Sequence, residues 1–124
     1  KGIYEMNKMS PARFHTEAPN IHFVQANVLS MHKCLQLGLL SSSIILLDTL
    51  HLPYTKPFEM GFFQWLVDHK YKGMLLLDDI TLTAEMRRWW RSITFPTKYN
   101  ITIVGHATGT GLVDFSGKAL FTPE

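Results

Sequence analysis

At 124 residues the chain has the length of one small domain built on one core. Apolar residues make up 46% and charged ones 18%, which excludes a disordered chain; 12 Lys and Arg against 10 Asp and Glu leave a net charge of +2, too little to draw in nucleic acid or anionic lipid. Cys34 is the single cysteine, so no intrachain disulfide or cysteine-based zinc site can form, as in a reducing intracellular setting such as the cytoplasm, and apolar runs of four residues (44–47, 74–77) fall far short of the ~20 that span a bilayer.

Residues 1–20 are mixed and polar, carry Pro11 and Pro19, and read as an arm or linker ahead of a domain over 21–124. Pro19-Asn20 opens a β-branched and aromatic stretch, Ile21 to Val28, that predicts a strand. Ser30 stands where a helix cap would, Met31, Leu35 and Leu39 recur at intervals of four, and Gly38 marks the expected stop. Ile44 to Asp48 (IILLD) is a continuous apolar run ending in an acid, the pattern of a strand buried on both faces in a parallel sheet. Pro57 suits the first turn of the next helix, whose apolar face is Phe58, Phe62, Trp65 and Leu66, with Gly73 closing the connection.

Met74 to Asp78 (MLLLD) repeats the apolar run ending in Asp. Thr83 is the expected N-cap of a third helix, with Glu85 in its first turn and Met86, Trp89, Trp90 and Ile93 as its inner stripe. Arg87, Arg88 and Arg91 fall partly off that stripe, and Pro96 ends the segment. Tyr99 to Val104 and Leu112 to Phe115 are two further strands, joined by Gly105 to Gly111 as an antiparallel hairpin. The order strand, helix, strand, helix, strand, helix and a terminal strand pair predicts an α/β layered fold with a mostly parallel sheet.

In open sheets of this class the ligand crevice lies beyond the carboxyl ends of the strands, and the residues there are acidic: Asp48 after one strand, Asp78 and Asp79 after the next. Were those strands neighbours, the carboxylates would meet within ~5 Å, so either a cation sits among them or a pKa rises; an all-oxygen set suits Mg²⁺ or Ca²⁺. The alternative is that these acids cap a helix or order their own turns. His51, three residues beyond Asp48, is placed to act as general base or metal ligand, or is a plain loop histidine. His106 reads as a turn or sheet contact, and His15, His22, His32 and His69 show no ligand spacing. The glycines of GHATGTG do not make a phosphate loop, since no Lys follows and the next segment is a strand. The aromatic residues Phe62, Phe63, Trp65, Trp89 and Trp90, with no basic groove beside them, read as core or interface.

Three segments, IILLDTLH, GMLLLDDI and KYNITIVGHATGTGLVDF, resemble the class I S-adenosylmethionine-dependent methyltransferases, and within them the small-molecule O-methyltransferases. The resemblance runs from about Ile21 to Phe115 and implies a Rossmann-like fold with a terminal antiparallel strand pair. It implies that Asp48, Asp78 and Asp79 hold Mg²⁺, which orients an acceptor hydroxyl, that Asn27 meets the adenine of S-adenosylmethionine, and that His51 is a candidate base. The family's cofactor fingerprint, an acid with a Gly-x-Gly turn after the first strand, has no counterpart, because no Gly-x-Gly precedes Ile21. Twenty residues cannot hold two strands and two helices, so the chain reads as the C-terminal half of the fold, lacking its first two strands. A complementary chain or a second copy is then expected to fill the gap, and the chain alone is expected to be inactive. The alternative is a catalytically inactive, methyltransferase-derived structural or interaction subunit. A metal-dependent hydrolase finds no support, as no Gly-x-Ser-x-Gly is present.

Overall fold

The computed structural model describes residues 20–21, 24, 26–49, 58–94 and 97–117. In chain order these form α1 (Lys33–Leu40), β1 (Ile44–Leu47), α2 (Phe58–Asp68), β2 (Met74–Asp78), α3 (Ala84–Ser92), β3 (Thr97–Asn100), a 3₁₀ turn (Thr102–Val104) and β4 (Thr110–Asp114). The strands make one four-stranded sheet in the order β1-β2-β4-β3. β1 pairs β2 in parallel, Ile44 opposite Met74 through Leu47 opposite Leu77. β4 is antiparallel to both of its neighbours, with Asp78 opposite Thr110 and Asn100 opposite Gly111.

The α/β class and the antiparallel terminal hairpin are as expected. The mostly parallel sheet is corrected to a mixed one: β1, β2 and β3 point the same way, but β4, reversed, is wedged between β2 and β3, so one ladder is parallel and two are antiparallel. The architecture is compatible with a Rossmann-like fold.

Strand period 2 sends Ile45, Leu47, Leu75, Leu77 and Val113 to one face, where they join Phe62, Phe63 and Leu66 of α2 and Met86, Trp89 and Trp90 of α3 in a single core. Leu66, Leu75, Leu77, Ile80, Met86 and Val113 have no exposed surface, and each such side chain contributes about 2 kcal/mol of transfer free energy. Gly111 lies directly under α3: a Cβ there would stand 2.6 Å from the Trp90 ring. The opposite face is less covered: β1, expected to be buried on both faces, is an edge strand whose Ile44 and Leu46 are 57% and 64% exposed.

Local chemistry explains the helix ends. Thr83 caps α3, its Oγ1 accepting from Met86 N at 3.1 Å, and Arg91 lies in the last turn. Burial lowers the Lys98 pKa; its Nζ donates to Trp90 O and stands 4.9 Å from the Trp90 ring centroid, tying β3 to the end of α3. After α2 the chain turns at Lys70, whose φ of 56° is left-handed, while Tyr71 N donates to Leu66 O at 2.9 Å. Burial also raises the Tyr71 pKa, and its hydroxyl bridges Ser42 O and Met74 O at 3.0 and 3.1 Å.

Three boundaries differ from expectation. The described residues 21, 24 and 26–28 carry no strand; Asn27 instead opens a turn, its Oδ1 accepting from Leu29 N at 3.1 Å and its carbonyl from Ser30 N at 3.0 Å. Ser30 is therefore inside that turn, and His32 caps α1, accepting from Cys34 N through Nδ1 at 3.2 Å; the helix runs past Gly38 to Leu40. The strand expected over Tyr99 to Val104 is displaced to Thr97–Asn100, because the Asn100 side chain takes Thr102 N at 3.0 Å and bends the chain into the 3₁₀ turn. The expected arm over residues 1–19 and the expected roles of Pro57 and Pro96 lie outside the described residues.

Candidate functional site

The carboxyl ends of β1 and β2 share one rim, and β4, being reversed, begins there. Its first residue, Thr110, is opposite Asp78, the last residue of β2. The loop ahead of β4 therefore rises at the same rim as the acids. It is held against the loop after β2: Thr81 N and Thr81 Oγ1 both donate to Thr108 O, at 3.0 and 2.7 Å, and Ile80 N donates to Gly109 O at 3.3 Å. Gly109 has a φ of +96°, and a Cβ on it would stand 2.9 Å from Thr81 N. Asp79 takes a left-handed φ of 62°, a conformation that its short polar side chain tolerates better than most.

The result is a compact group. One ligand atom from each of Asp78, Asp79 and His106 falls within 4.8 Å of the others. His106 Nδ1 stands 3.7 Å from Asp78 Oδ1 and 3.9 Å from Asp79 Oδ1. The imidazole is 66% exposed while the carboxylates are 24% and 15% exposed, so water screens the attraction to well under what a dry pair would show. His106 N also donates to Thr110 Oγ1 at 2.8 Å, fixing the imidazole's own backbone to the start of β4.

Thr108 orients the ring. Its hydroxyl donates to Asp79 Oδ1, and with its only hydrogen used there its oxygen accepts from His106 Nδ1 at 2.6 Å. A neutral His106 is thus assigned the Nδ1–H tautomer, with the Nε2 lone pair available for chemistry.

The residues singled out from sequence distribute as follows. Asp78 and Asp79 are in the group. Asp48 follows Leu47, which is paired with Leu77, so its backbone is next in line to that of Asp78; its side chain is exposed and is not a member of the group. Asn27 is exposed in its own turn, and His51 lies outside the described residues. The member that sequence reasoning assigned to a turn contact is His106. A signal for it existed: a last strand antiparallel to β2 must begin where β2 ends, which places the preceding loop, and its histidine, over Asp78.

Beside the group, Thr49 follows Asp48 and donates its hydroxyl to Oε1 of Glu59, a fully buried acid in the first turn of α2. Two carboxylates and an imidazole form a donor set that suits a divalent cation, and the nitrogen extends the range from Mg²⁺ toward Mn²⁺ and other first-row metals. Among the described residues no helix is long and apolar enough to cross a membrane. Comparisons with protein-family models, with curated proteins and with solved structures find no match for this chain.

Proposed function

We propose that the chain is the C-terminal part of an intracellular, metal-assisted, S-adenosylmethionine-dependent O-methyltransferase, completed by a cofactor-binding half on another stretch of polypeptide. The observation that carries this reading is the convergence of Asp78, Asp79 and His106 at the rim where the parallel strands β1 and β2 end, the place where open α/β sheets bind ligands. The reversed β4 paired with β3 agrees with the terminal antiparallel pair that the sequence resemblance implies.

A divalent ion would supply Lewis acidity to an acceptor hydroxyl, and S-adenosylmethionine the methyl group. Asp78 and Asp79 would hold the ion through carboxylate oxygens and His106 through Nδ1, which stands 3.7 and 3.9 Å from them, once that nitrogen gives up its proton; Asp48, at the end of β1, stays outside the group. The chain's own task is then positioning: the paired loops hold the acids and the imidazole at fixed separations, and Asn27, from its turn ahead of α1, is offered to the adenine. The acceptor is a small molecule bearing a hydroxyl group. Calorimetry with S-adenosylmethionine and with Mn²⁺, on the chain alone and on the chain joined to its complementary half, tests the reading. Metal binding lost in Asp78→Asn, together with cofactor binding by the joined form, is the expected outcome; no binding in either form refutes it.

A second reading, an inactive interaction subunit derived from such an enzyme, is favoured by one observation. The edge strand β1 has no partner on its outer side among the described strands and displays Ile44 and Leu46, the type of edge that another chain covers. Sedimentation decides: self-association or co-sedimentation with a partner, combined with wild-type behaviour of Asp78→Asn, supports it, and a well-dispersed monomer counts against it.

A further inference from the structure

The Thr108 hydroxyl stands inside the candidate group. Its Oγ1 touches two of the three members, donating its hydrogen to Asp79 Oδ1 and accepting from His106 Nδ1 at 2.6 Å. A hydroxyl oxygen has two lone pairs, and that arrangement uses one of them. The half-buried side chain springs from an anchored backbone, because Thr108 O accepts from both Thr81 N and Thr81 Oγ1, at 3.0 and 2.7 Å. His106 Nδ1 is 3.7 Å from Asp78 Oδ1 and 3.9 Å from Asp79 Oδ1, too far for a hydrogen bond to either, yet within the ~4.2 Å that two metal–ligand bonds of about 2.1 Å can span.

We propose that Thr108 Oγ1 is a further protein donor to a divalent cation held by Asp78, Asp79 and His106 Nδ1. The inference rests on the metal-assisted reading above and extends its donor set. A neutral hydroxyl is a hard oxygen donor of the kind that suits Mg²⁺ and Mn²⁺. When the ion binds, Nδ1 releases its proton to water, the Thr108 lone pair that had accepted it turns to the cation, and the hydroxyl hydrogen stays directed at Asp79 Oδ1. The contrary role has the opposite sign: a Thr108 that only keeps Nδ1 protonated would compete with the ion, and removing its hydroxyl would free Nδ1 and tighten binding.

The probe is Mn²⁺ alone, titrated into the full chain by electron paramagnetic resonance, with the waters on the bound ion counted from their hyperfine coupling in isotope-labelled water. Thr108→Val keeps the shape and the backbone bonds, and it is expected to weaken Mn²⁺ binding about tenfold or more and to add a water to the ion. Thr108→Ser, which keeps the hydroxyl, is expected to remain within about threefold of wild type with the same waters. Thr108→Cys replaces a hard oxygen by a soft sulfur and should shift preference from Mn²⁺ toward Cd²⁺; this variant decides if Thr108→Val does not fold. Weaker binding by Thr108→Val without the added water makes Thr108 an orienting group, and equal or tighter binding makes it a competitor; either result, or an unshifted metal preference in Thr108→Cys, overturns the proposal and leaves the metal site standing. No Mn²⁺ binding by the wild type removes the metal-assisted reading and this inference with it.

Discussion

Replacing Gly109 by Ala tests whether the candidate site depends on the close approach of its two loops. At a φ of +96° an L-residue is strained, and the added Cβ would meet Ile80 Cγ1 and Thr81 Oγ1 at 2.7 Å and Thr81 N at 2.9 Å. Two of those neighbours could adjust; the Thr81 backbone cannot without moving its own loop. The left-handed conformation costs about 1–2 kcal/mol, and backing the loops apart forfeits the Ile80 N to Gly109 O bond and strains the Thr81 N to Thr108 O bond, about 1 kcal/mol each. Against this, Ala lowers the entropy of the unfolded chain by about 0.4–1 kcal/mol. The net expectation is a destabilisation of about 2–3 kcal/mol, read from urea unfolding followed by the fluorescence of buried Trp89 and Trp90, with an unchanged denaturant slope. Gly38→Ala is the control: that glycine lies inside α1 with nothing within 4 Å of a Cβ, so the same chemical change should stabilise by up to about 1 kcal/mol. A Gly109→Ala protein within about 0.5 kcal/mol of wild type would refute the packing argument and, with it, the claim that the loops hold Asp79 and His106 in fixed relation.

Other consequences are as direct. Thr83→Ala removes the oxygen that accepts from Met86 N and should cost about 1 kcal/mol in chemical denaturation, whereas Thr83→Ser should be close to neutral. Burial holds the Tyr71 pKa above its ordinary 10.0, so the native state keeps a proton that the unfolded state loses; the associated stability is complete below pH 10.0 and is lost as pH rises through the folded-state value. Tyr71→Phe, which also forfeits the hydroxyl contacts to Ser42 O and Met74 O, should be less stable than wild type by about 1 kcal/mol at neutral pH, and that gap should close above pH 10.0 in pH-dependent unfolding measurements. Nitrogen NMR of the metal-free protein should find neutral His106 protonated on Nδ1, and Thr108→Val should shift it toward the Nε2–H form; an unaltered tautomer ratio in Thr108→Val would show that Thr108 does not orient the ring.

What the sequence revealed and what it hid divide along a physical line. β1, β2 and α3 were legible because the information lies within each segment: apolar runs closed by an acid, and a capping Thr83 ahead of a four-residue stripe, Met86, Trp89, Trp90 and Ile93, that is buried throughout. Strands elsewhere depend on a partner, and there propensity misleads. Ile21 to Val28 is rich in strand-forming residues, yet β1 forms the edge of the described sheet without it, and the Asn27 side chain offers its own backbone a turn instead. Ile101, Ile103 and Val104 are β-branched, but the hydrogen bonds from Thr102 N and Oγ1 to Asn100 Oδ1, at 3.0 and 2.5 Å, outweigh that preference and end β3 early. Left-handed turns fell on Lys70 and Asp79, neither of which a glycine search would mark.

The candidate site shows the same division at a higher level. Asp78 and Asp79 are adjacent in sequence, so their pairing needs no fold; His106 reaches them only because β4 runs against β2. A parallel last strand would have begun at the opposite rim, with the loop that carries His106 a strand length away, about 17 Å for five residues. Register matters as much as direction. Sliding β4 by two residues along β2 keeps Leu112 and Val113 on their proper faces, so the core would tolerate the slip, but it would carry the loop about 7 Å along the strand axis and out of reach of both carboxylates. What opposes that slip is the fit of Gly111 beneath the Trp90 ring and of Gly109 against Thr81: a slip one way puts Val113 under the ring, and a slip the other way puts Ala107 against Thr81. The glycines of the GTG segment thus select the one register in which an imidazole meets two aspartates.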